Sequence, residues 1–289
     1  MVSDSYFEIG NKHIVCQDYA LNGHSSDGCM YYAIISDGCS SSKNSEIGAQ
    51  ILCYVAKYFL LLYYNSQVIT QTSEENVRIL LQNSIYKKAN EIRSLYGIEQ
   101  SALDATLSIV CIVDNDDSNK TWVWTWGDGV TIYNYHDCTE IITVEYETGA
   151  PFYISYLSKE NHETYKRKFG DGKVTQTRYT YKNGNAEPEI YTHDAEYTYS
   201  FFDFETQWYP KINNDILKSV IISSDGLTSY EDVLNESIPT TNIAHELLGY
   251  KRINGEFMKS NIIFMNKRHN KQHITHYDDM SCGIVLREK

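Results

Sequence analysis

Several features that identify common classes of protein are missing from the 289-residue sequence. Its seven cysteines form no CxxC pair and their number is odd, which argues against a disulfide framework or a zinc ribbon and predicts reduced thiols in an intracellular compartment. Basic residues are scarce, since 25 Lys and Arg stand against 38 Asp and Glu, a net charge of −13. No basic run forms a stripe for a polyanion, so we expect no nucleic-acid partner.

Neither a membrane span nor a signal peptide is predicted. The most apolar stretch, residues 51–64, contains Lys57 and falls short of the roughly 20 residues that cross a bilayer. The N-terminus has no apolar segment of the kind found in signal peptides. We therefore expect a cytoplasmic protein without a membrane partner, in which residues 51–64 form a buried helix.

Hydrophobic residues make up 42% of the chain, enough for a globular core, and their spacing predicts an α+β fold. Helices are predicted over 45–64, over 73–96 (opened by a capping box at Thr72 and Glu75 and ended by Gly97) and over 241–249. Strands are predicted at 30–36, 106–113, 121–126, 130–135, 219–223, 261–265 and 282–286. Because most connections are short enough for hairpins, the sheets are expected to be antiparallel and packed against the helices.

Residues 145–212 differ in composition from the rest of the chain. They contain ten of the 25 tyrosines, and Asn183-Gly184 predicts a hairpin. We interpret the segment as a Tyr-rich β insertion within a single domain covering residues 1–289. Tyrosines packing on one another are favoured over a tyrosine surface that binds a partner.

Acidic residues recur at the ends of the predicted strands. Three apolar strands run into an Asp-Gly pair, at Asp37, Asp128 and Asp225, and Asp278-Asp279 directly precedes a fourth. In an antiparallel sheet the end of one strand and the start of its neighbour share an edge, so these acids can meet at one rim. Clustered carboxylates repel one another unless a cation neutralises them, and an all-oxygen set favours Mg²⁺ or Mn²⁺. A single Asp-Gly pair is typical of an ordinary turn, so the residues alone leave both interpretations open.

Six motifs then follow in one order along the chain: IGNKHIVCQDYA, AIISDGCSSS, DATLSIVCIV, WTWGDG, VIISSDGL and YDDMSCGIVL. In that order they resemble the metal-dependent type-2C protein serine/threonine phosphatases, and the opening is most similar to the divergent bacterial branch. The resemblance runs from residue 9 to 286 and is weak between about 135 and 215. It implies an antiparallel β-sandwich flanked by pairs of helices, with two Mn²⁺ or Mg²⁺ ions at one end.

The same resemblance implies a role for each acid. Asp37 would bridge both ions, and the carbonyl of Gly38 would serve one of them. Asp18, in Cys-Gln-Asp-Tyr, would complete the second site, while Asp225 and Asp278 would hold the first. A water activated between the ions would hydrolyse phosphoserine and phosphothreonine in a phosphoprotein substrate, opposing a Ser/Thr kinase in a signalling system.

Some positions depart from the family pattern. Asp128 lies in Gly-Asp-Gly instead of Gly-Asp-Ser and matches the acid that helps to hold a third ion. His13 stands at the spacing where relatives have a phosphate-binding Arg. A phosphate-binding role and a structural role are both open for His13, and Lys12 is an alternative phosphate-binding residue. Cys39 replaces a His that donates a proton in some relatives, and we interpret it as a small buried residue. No Cys-x5-Arg loop is present, which argues against a cysteine phosphatase.

Three functions therefore compete. The first is a metal-dependent phosphatase acting on phosphoserine and phosphothreonine. The second is an inactive pseudophosphatase that binds phosphoproteins as a regulatory module, favoured by the missing Arg and opposed by the retained acids. The third, a metal phosphodiesterase or nuclease, is disfavoured by the net charge of −13 and the absence of a basic run.

Overall fold

The computed structural model describes residues 1–115, 118–170, 173–182, 187–196, 212–251 and 253–287. Its strands are β1 (Val2–Glu8), β2 (Tyr19–His24), β3 (Met30–Ser36), β4 (Leu107–Asn115), β5 (Ser118–Trp126), β6 (Gly129–Tyr135), β7 (Cys138–Tyr146), β8 (Lys173–Lys182), β9 (Glu189–Glu196), β10 (Leu217–Ser223), β11 (Tyr230–Glu231), β12 (Thr275–His276) and β13 (Met280–Leu286). Its helices are α1 (Ser45–Asn65), α2 (Val68–Gln71), α3 (Glu74–Leu95), α4 (Lys159–Phe169), α5 (Thr240–Leu247) and α6 (Phe257–Lys271).

The strands form two large antiparallel sheets that pack face to face. One has seven strands in the order β1-β13-β10-β6-β7-β8-β9, the other has four in the order β2-β3-β4-β5, and β11 pairs with β12 separately. Side chains such as Ile35 and Val110 of one sheet meet Val220, Ile222 and Val285 of the other in a buried core. The predicted α+β fold with an antiparallel β-sandwich is confirmed.

Helices cover the outer faces of both sheets. Helices α1 and α3 bury Leu52, Leu60 and Leu81 against the four-stranded sheet, and α5 and α6 bury Leu247 and Ile262 against the seven-stranded sheet. The molecule is thus layered helix, sheet, sheet, helix. By length and composition α1 is apolar enough to cross a membrane, yet 44% of its most apolar window is buried in the fold, which agrees with the predicted core helix.

One predicted helix start and one predicted strand are wrong. The capping box at Thr72 does not form, because Thr72 is extended at the end of α2 and the N-cap of α3 is Ser73, whose side chain accepts a hydrogen bond from the Asn76 amide. The strand predicted at 261–265 is part of α6, which buries Ile262 and Met265 at helical spacing. A short apolar run fits a buried helix as well as a strand.

Part of the Tyr-rich segment extends the larger sheet. Strands β8 and β9 pair antiparallel, as predicted, and continue the sheet beyond β7. Asn183 and Gly184, where the hairpin turn is predicted, lie outside the described residues, as does the range 197–211. Before β8, the rings of Phe152, Tyr156 and Tyr165 pack on one another with centroids 4.8–5.5 Å apart. That the segment is an insertion in a single domain stays a prediction.

Candidate active site

Pairing in the four-stranded sheet brings the first two predicted acids together. Asp18 directly precedes β2 and Asp37 directly follows β3. The two strands are antiparallel, and Tyr19 pairs with Ser36. The neighbouring residues Asp18 and Asp37 therefore leave the sheet side by side at the same edge.

Pairing in the seven-stranded sheet brings the other acids to the same end of the sandwich. Asp128 directly precedes β6, Asp225 lies just after β10, and Asp278 lies just before β13. Val130 of β6 pairs with Ser223 of β10, and β13 runs antiparallel to β10. The carboxyl groups from both sheets thus face the space where the two sheets open.

The charges of these acids act on one another. Burial raises the pKa of Asp37 well above its usual value, and the charges of Asp18, Asp225 and Asp128 raise it further. The pKa of Asp128 is raised by burial and then by Asp225 and Asp278, and the pKa of Asp225 by burial and then by Asp278. All five predicted acids therefore belong to one electrostatic cluster, which we call the acid cluster.

Asp18 is the most deeply buried member. Its side chain is 3% exposed, and neither carboxylate oxygen has a hydrogen-bond partner among the described residues. Burial raises its pKa to about 7, while the nearby side chains of Asp37, Ser281 and Ser224 act in the opposite direction. A buried carboxylate without a partner is costly, and an ion with a preference for oxygen would satisfy it. The donor chemistry of the cluster therefore fits Mg²⁺ or Mn²⁺.

Proximity does not amount to a closed ligand set. Within the described ranges, no three His, Cys, Asp or Glu side chains are grouped closely enough to hold a metal ion as they stand. The acids interact electrostatically, but their side chains are not arranged as ligands around one ion position. Their roles as ligands stay predictions.

Glycines after the acids provide space for close backbone contacts. A Cβ on Gly38 would lie 2.8 Å from the carbonyl carbon and oxygen of Ser45, and one on Gly226 would lie 1.9 Å from the carbonyl oxygen of Asp279. The Gly38 amide donates a hydrogen bond to the Gln17 carbonyl. Only glycine therefore allows the loops of Asp37 and Asp225 to pack against their neighbours at the rim.

Asp279, to which the sequence assigned no role, anchors the loop of residues 10–17. Its Oδ1 accepts a hydrogen bond from the Gly10 amide at 2.8 Å, and its Oδ2 accepts one from the Gln17 amide at 2.6 Å. The carboxyl group is almost completely buried. Both ends of the loop are thus held by one side chain, and the loop brings His13 to the acid cluster.

His13 lies against the acid pair. Its Nδ1 is 3.0 Å from Asp279 Oδ2 and its Nε2 is 3.5 Å from Asp278 Oδ1. The close contact with Asp279 and the charges of Asp279, Asp278 and Asp18 raise the pKa of His13 above its usual value despite burial. Lys12 instead lies over the Tyr277 ring at 4.1 Å. The acid pair therefore favours the protonated form of His13 at the edge of the cluster.

His276 supports the acid pair from behind, which the sequence did not indicate. Its Nδ1 is 2.9 Å from the carbonyl oxygen of Asp278 and its Nε2 is 3.0 Å from Glu8 Oε1. Burial lowers the pKa of His276, but the bonds to Glu8 and to the Asp278 carbonyl outweigh it, and the net shift is upward. Both partners only accept hydrogen bonds, so the protonated ring satisfies both.

An aromatic segment from the Tyr-rich region borders the other side of the cluster. Tyr153 is 7% exposed, and its pKa is raised by burial and then by the nearby Cys39, Asp128 and Asp37. Cys39 itself is partly exposed and lies 3.1 Å from Ser41 Oγ. The interpretation of Cys39 as a buried residue is therefore wrong, because it lies where the loop after Asp37 meets the surface.

Comparisons with solved structures give likenesses of low identity. The serine/threonine phosphatase Stp1 from Staphylococcus aureus has a TM-score of 0.42 at 10% identity over 99% of this chain and 95% of that one. The S. agalactiae serine/threonine phosphatase has a TM-score of 0.44 at 14% identity, and the match covers 99% of this chain and 99% of that one. A structure of the SpoIIE phosphatase domain from Bacillus subtilis, with a fragment of its regulatory domain, has a TM-score of 0.49 at 12% identity. That match covers 98% of this chain and 62% of the other.

A comparison with curated proteins finds no match. The sequence model of the family described as Protein phosphatase 2C matches residues 10–248, most of the chain. That range includes β2, β3, β6 and β10, whose ends carry Asp18, Asp37, Asp128 and Asp225. On this match the chain belongs to the protein phosphatase 2C family.

Proposed function

We propose that this protein hydrolyses phosphoserine and phosphothreonine in proteins in a reaction that depends on Mn²⁺ or Mg²⁺. The observation that carries the proposal is the acid cluster, in which Asp18 keeps two buried carboxylate oxygens without a hydrogen-bond partner among the described residues. A member of the protein phosphatase 2C family with such a cluster has the donors that the reaction requires.

The proposed ligand roles are those that the resemblance to the family implies. Asp37 would serve both ions and the Gly38 carbonyl one of them. Asp18 would hold the second ion, and Asp225 and Asp278 would hold the first. Bound divalent cations supply positive charge to the phosphoryl oxygens and lower the pKa of a water molecule. A third ion is proposed at Asp128, which matches the acid of the third-ion site in relatives and interacts electrostatically with Asp225 and Asp278.

His13 and Asp279 act on the substrate side. Asp279 fixes the loop of residues 10–17 by accepting two backbone hydrogen bonds, so that His13 is held at the rim. The raised pKa of His13 favours the protonated ring, which would hold a phosphate oxygen with a charge-assisted hydrogen bond. A histidine offers one such bond where an arginine offers two.

The substrate and setting are part of the proposal. A phosphoprotein opposed by a Ser/Thr kinase is the proposed partner, in a cytoplasmic signalling system. All seven cysteines are free thiols, which supports a reducing compartment. The net charge of −13 disfavours nucleic acid as a substrate, and no membrane partner is proposed.

A pseudophosphatase is the second candidate, and one observation favours it. His13 lies against Asp278 and Asp279 and is thus engaged by the protein's own carboxylates at the place where a substrate phosphate would need it. In that case the protein would bind phosphoproteins without hydrolysing them.

A metal-rescue assay distinguishes the candidates. Hydrolysis of a phosphoserine peptide should vanish in EDTA and return with Mn²⁺ or Mg²⁺, because the donors are all oxygens. Asp37→Asn should lower turnover by about 100-fold or more, whereas Asp27→Asn, in the turn before β3, should leave it unchanged. Full activity in EDTA, or rescue by Zn²⁺ alone, would contradict the proposal. Peptide binding without hydrolysis would favour the pseudophosphatase, and cleavage of a phosphodiester or single-stranded DNA would favour the third function.

A further inference from the structure

Asp104 lies outside the acid cluster, between the 3-10 turn Gln100–Leu103 and β4, and has no role in the proposed reaction. Its carboxyl group accepts a hydrogen bond from Ser155 Oγ at 2.7 Å on one oxygen, and Ser42 Oγ lies 3.4 Å from the other. Burial raises its pKa, and Ser155, Ser42, Lys168 and the Tyr156 hydroxyl act against burial. Two serine hydroxyl groups, one from each of two other segments, therefore converge on one carboxylate.

The first of these segments is the loop after Asp37. The Cys39 amide donates a hydrogen bond to the Asp104 carbonyl at 2.9 Å, and the Thr106 amide donates one to the Asp37 carbonyl at 2.8 Å. Gly38 forms an isolated bridge with Ala105. The backbone that leads into β4 thus holds the loop at Asp37 and Cys39, while the Asp104 side chain reaches its far end at Ser42.

The second segment is the 3-10 turn Ile154–Leu157, which leads into α4. Ser155 is 1% exposed, and its carbonyl accepts a hydrogen bond from Asn161 Nδ2 at 2.7 Å. Two residues earlier, Tyr153 stacks on Tyr156 with ring centroids 5.7 Å apart, and the pKa of Tyr153 is raised by the nearby Cys39, Asp128 and Asp37 in addition to burial. Fixing Ser155 therefore fixes the aromatic side of the acid cluster.

We propose that Asp104 is a positioning residue that fastens the aromatic turn at Ser155 to the loop of residues 37–42, so that Tyr153 forms a fixed wall of the substrate site. The proposal rests on the proposed phosphatase function for its kinetic consequence, but its structural part does not. Since a carboxylate accepts hydrogen bonds at both oxygens, Asp104 can take a hydroxyl group on each, whereas an amide cannot accept at its nitrogen.

Hydrogen exchange tests the structural part in the protein without substrate. In Asp104→Ala, amide exchange should rise several-fold in peptides covering both residues 38–43 and residues 150–158. In Ser155→Ala, which removes one hydroxyl group, the rise should be confined to residues 150–158. Asp27→Ala is the matched control, because Asp27 also takes two hydroxyl hydrogen bonds, from Ser25 and Tyr64, in the turn at the opposite end of β3.

Kinetics test the functional part. Asp104→Ala and Ser155→Ala should each raise KM for a phosphoserine peptide about tenfold, because losing the Ser155–Asp104 hydrogen bond lowers the fraction of molecules in which the turn is held in its binding position. Their kcat should stay within about twofold, because the acids of the cluster are intact. Asp27→Ala should change neither constant. If Asp104→Ala fails to fold, Ser155→Ala carries the test alone.

Each result has a distinct meaning. Unchanged exchange at residues 150–158 in both variants, or the same rise in Asp27→Ala, would overturn the positioning role. An unchanged KM in a protein that hydrolyses the peptide would do the same. If the exchange changes as expected but the wild-type protein hydrolyses nothing, the proposed function fails and the attachment through Asp104 stands.

Discussion

Replacing Asp18 with Asn should make the metal-free protein more stable, and increasingly so as the pH rises. The pKa of Asp18 is raised from 3.8 to about 7 in the folded protein. A carboxyl group whose folded pKa is raised contributes most stability below its unfolded pKa, and this contribution is lost as the pH rises through the folded pKa. Asn is neutral throughout and has nearly the same shape. The difference between variant and wild type therefore follows the ionisation of Asp18.

The magnitude follows from the size of the shift. A shift of about three pKa units, at about 1.36 kcal/mol per unit, corresponds to about 4 kcal/mol. This is the upper value for the free energy of unfolding that the wild type should lose, relative to Asp18→Asn, between pH 4 and pH 8. Excess Mn²⁺ should narrow the difference, since saturation to 100 times Kd adds about 2.7 kcal/mol to a protein that binds the ion. The variant lacks one proposed ligand and should gain less.

Urea unfolding in EDTA at several pH values measures this difference. Asp27→Asn is a control of opposite sign, because hydrogen bonds from Ser25 and from the Cys29 amide lower the pKa of Asp27. Its carboxylate contributes stability that is present above the unfolded pKa of 3.8 and is lost only as the pH falls through the lowered folded pKa. Between pH 4 and pH 8 this variant should therefore be less stable than wild type by a nearly constant amount. If the advantage of Asp18→Asn is constant or shrinks between pH 4 and pH 8, Asp18 is not a buried, destabilising charge and the argument for a cation beside it is refuted.

Three further predictions concern other residues. His13→Ala should raise KM for a phosphoserine peptide about tenfold with metal content unchanged, and His13→Arg should preserve binding; a lower Tm with unaltered kinetics would instead show a structural role. Asp128→Asn should still bind two ions by calorimetry and lose less turnover than Asp37→Asn, and equal losses would remove the distinction between inner and outer ligands. Ile262→Ala should lower the free energy of unfolding by about 2–5 kcal/mol, since Ile262 is fully buried under the sheet. Phe264→Ala, at a residue that is 56% exposed, should lower it by about 1 kcal/mol or less. Similar losses in the two variants would contradict the orientation of α6.

The parts of the fold that could be predicted are those with a clear period or a terminating residue. Helix α1 follows from its regular apolar spacing, and α3 ends two residues before Gly97, whose φ of 68° suits glycine. Helix α6 was missed because the run at 261–265 is too short to show whether its apolar residues recur every two residues or every three to four.

In the candidate site, too, some features could be predicted from the sequence and others could not. The positions of Asp37, Asp128 and Asp225 are marked by an apolar strand and a following glycine, so their meeting at one edge follows from strand pairing. The attachment of the loop of residues 10–17 by Asp279, and the support from His276, depend on hydrogen bonds between segments more than 250 residues apart. No local pattern in the sequence encodes such contacts.

The contact between Asp279 and the loop of residues 10–17 also sets an order of assembly. Strand β13 lies between β1 and β10 in the larger sheet, so until residues 278–286 have been synthesised, these two strands have no common neighbour and the amides of Gly10 and Gln17 have no carboxylate to bind. A growing chain can pair β2 with β3, and β6 with β7, while lacking both Asp278 and the means to bring His13 to the rim. Pairing of distant segments is the slow part of folding. The acid cluster is therefore completed by a late, long-range step, and a chain interrupted before residue 278 would carry most of the acids without forming the site.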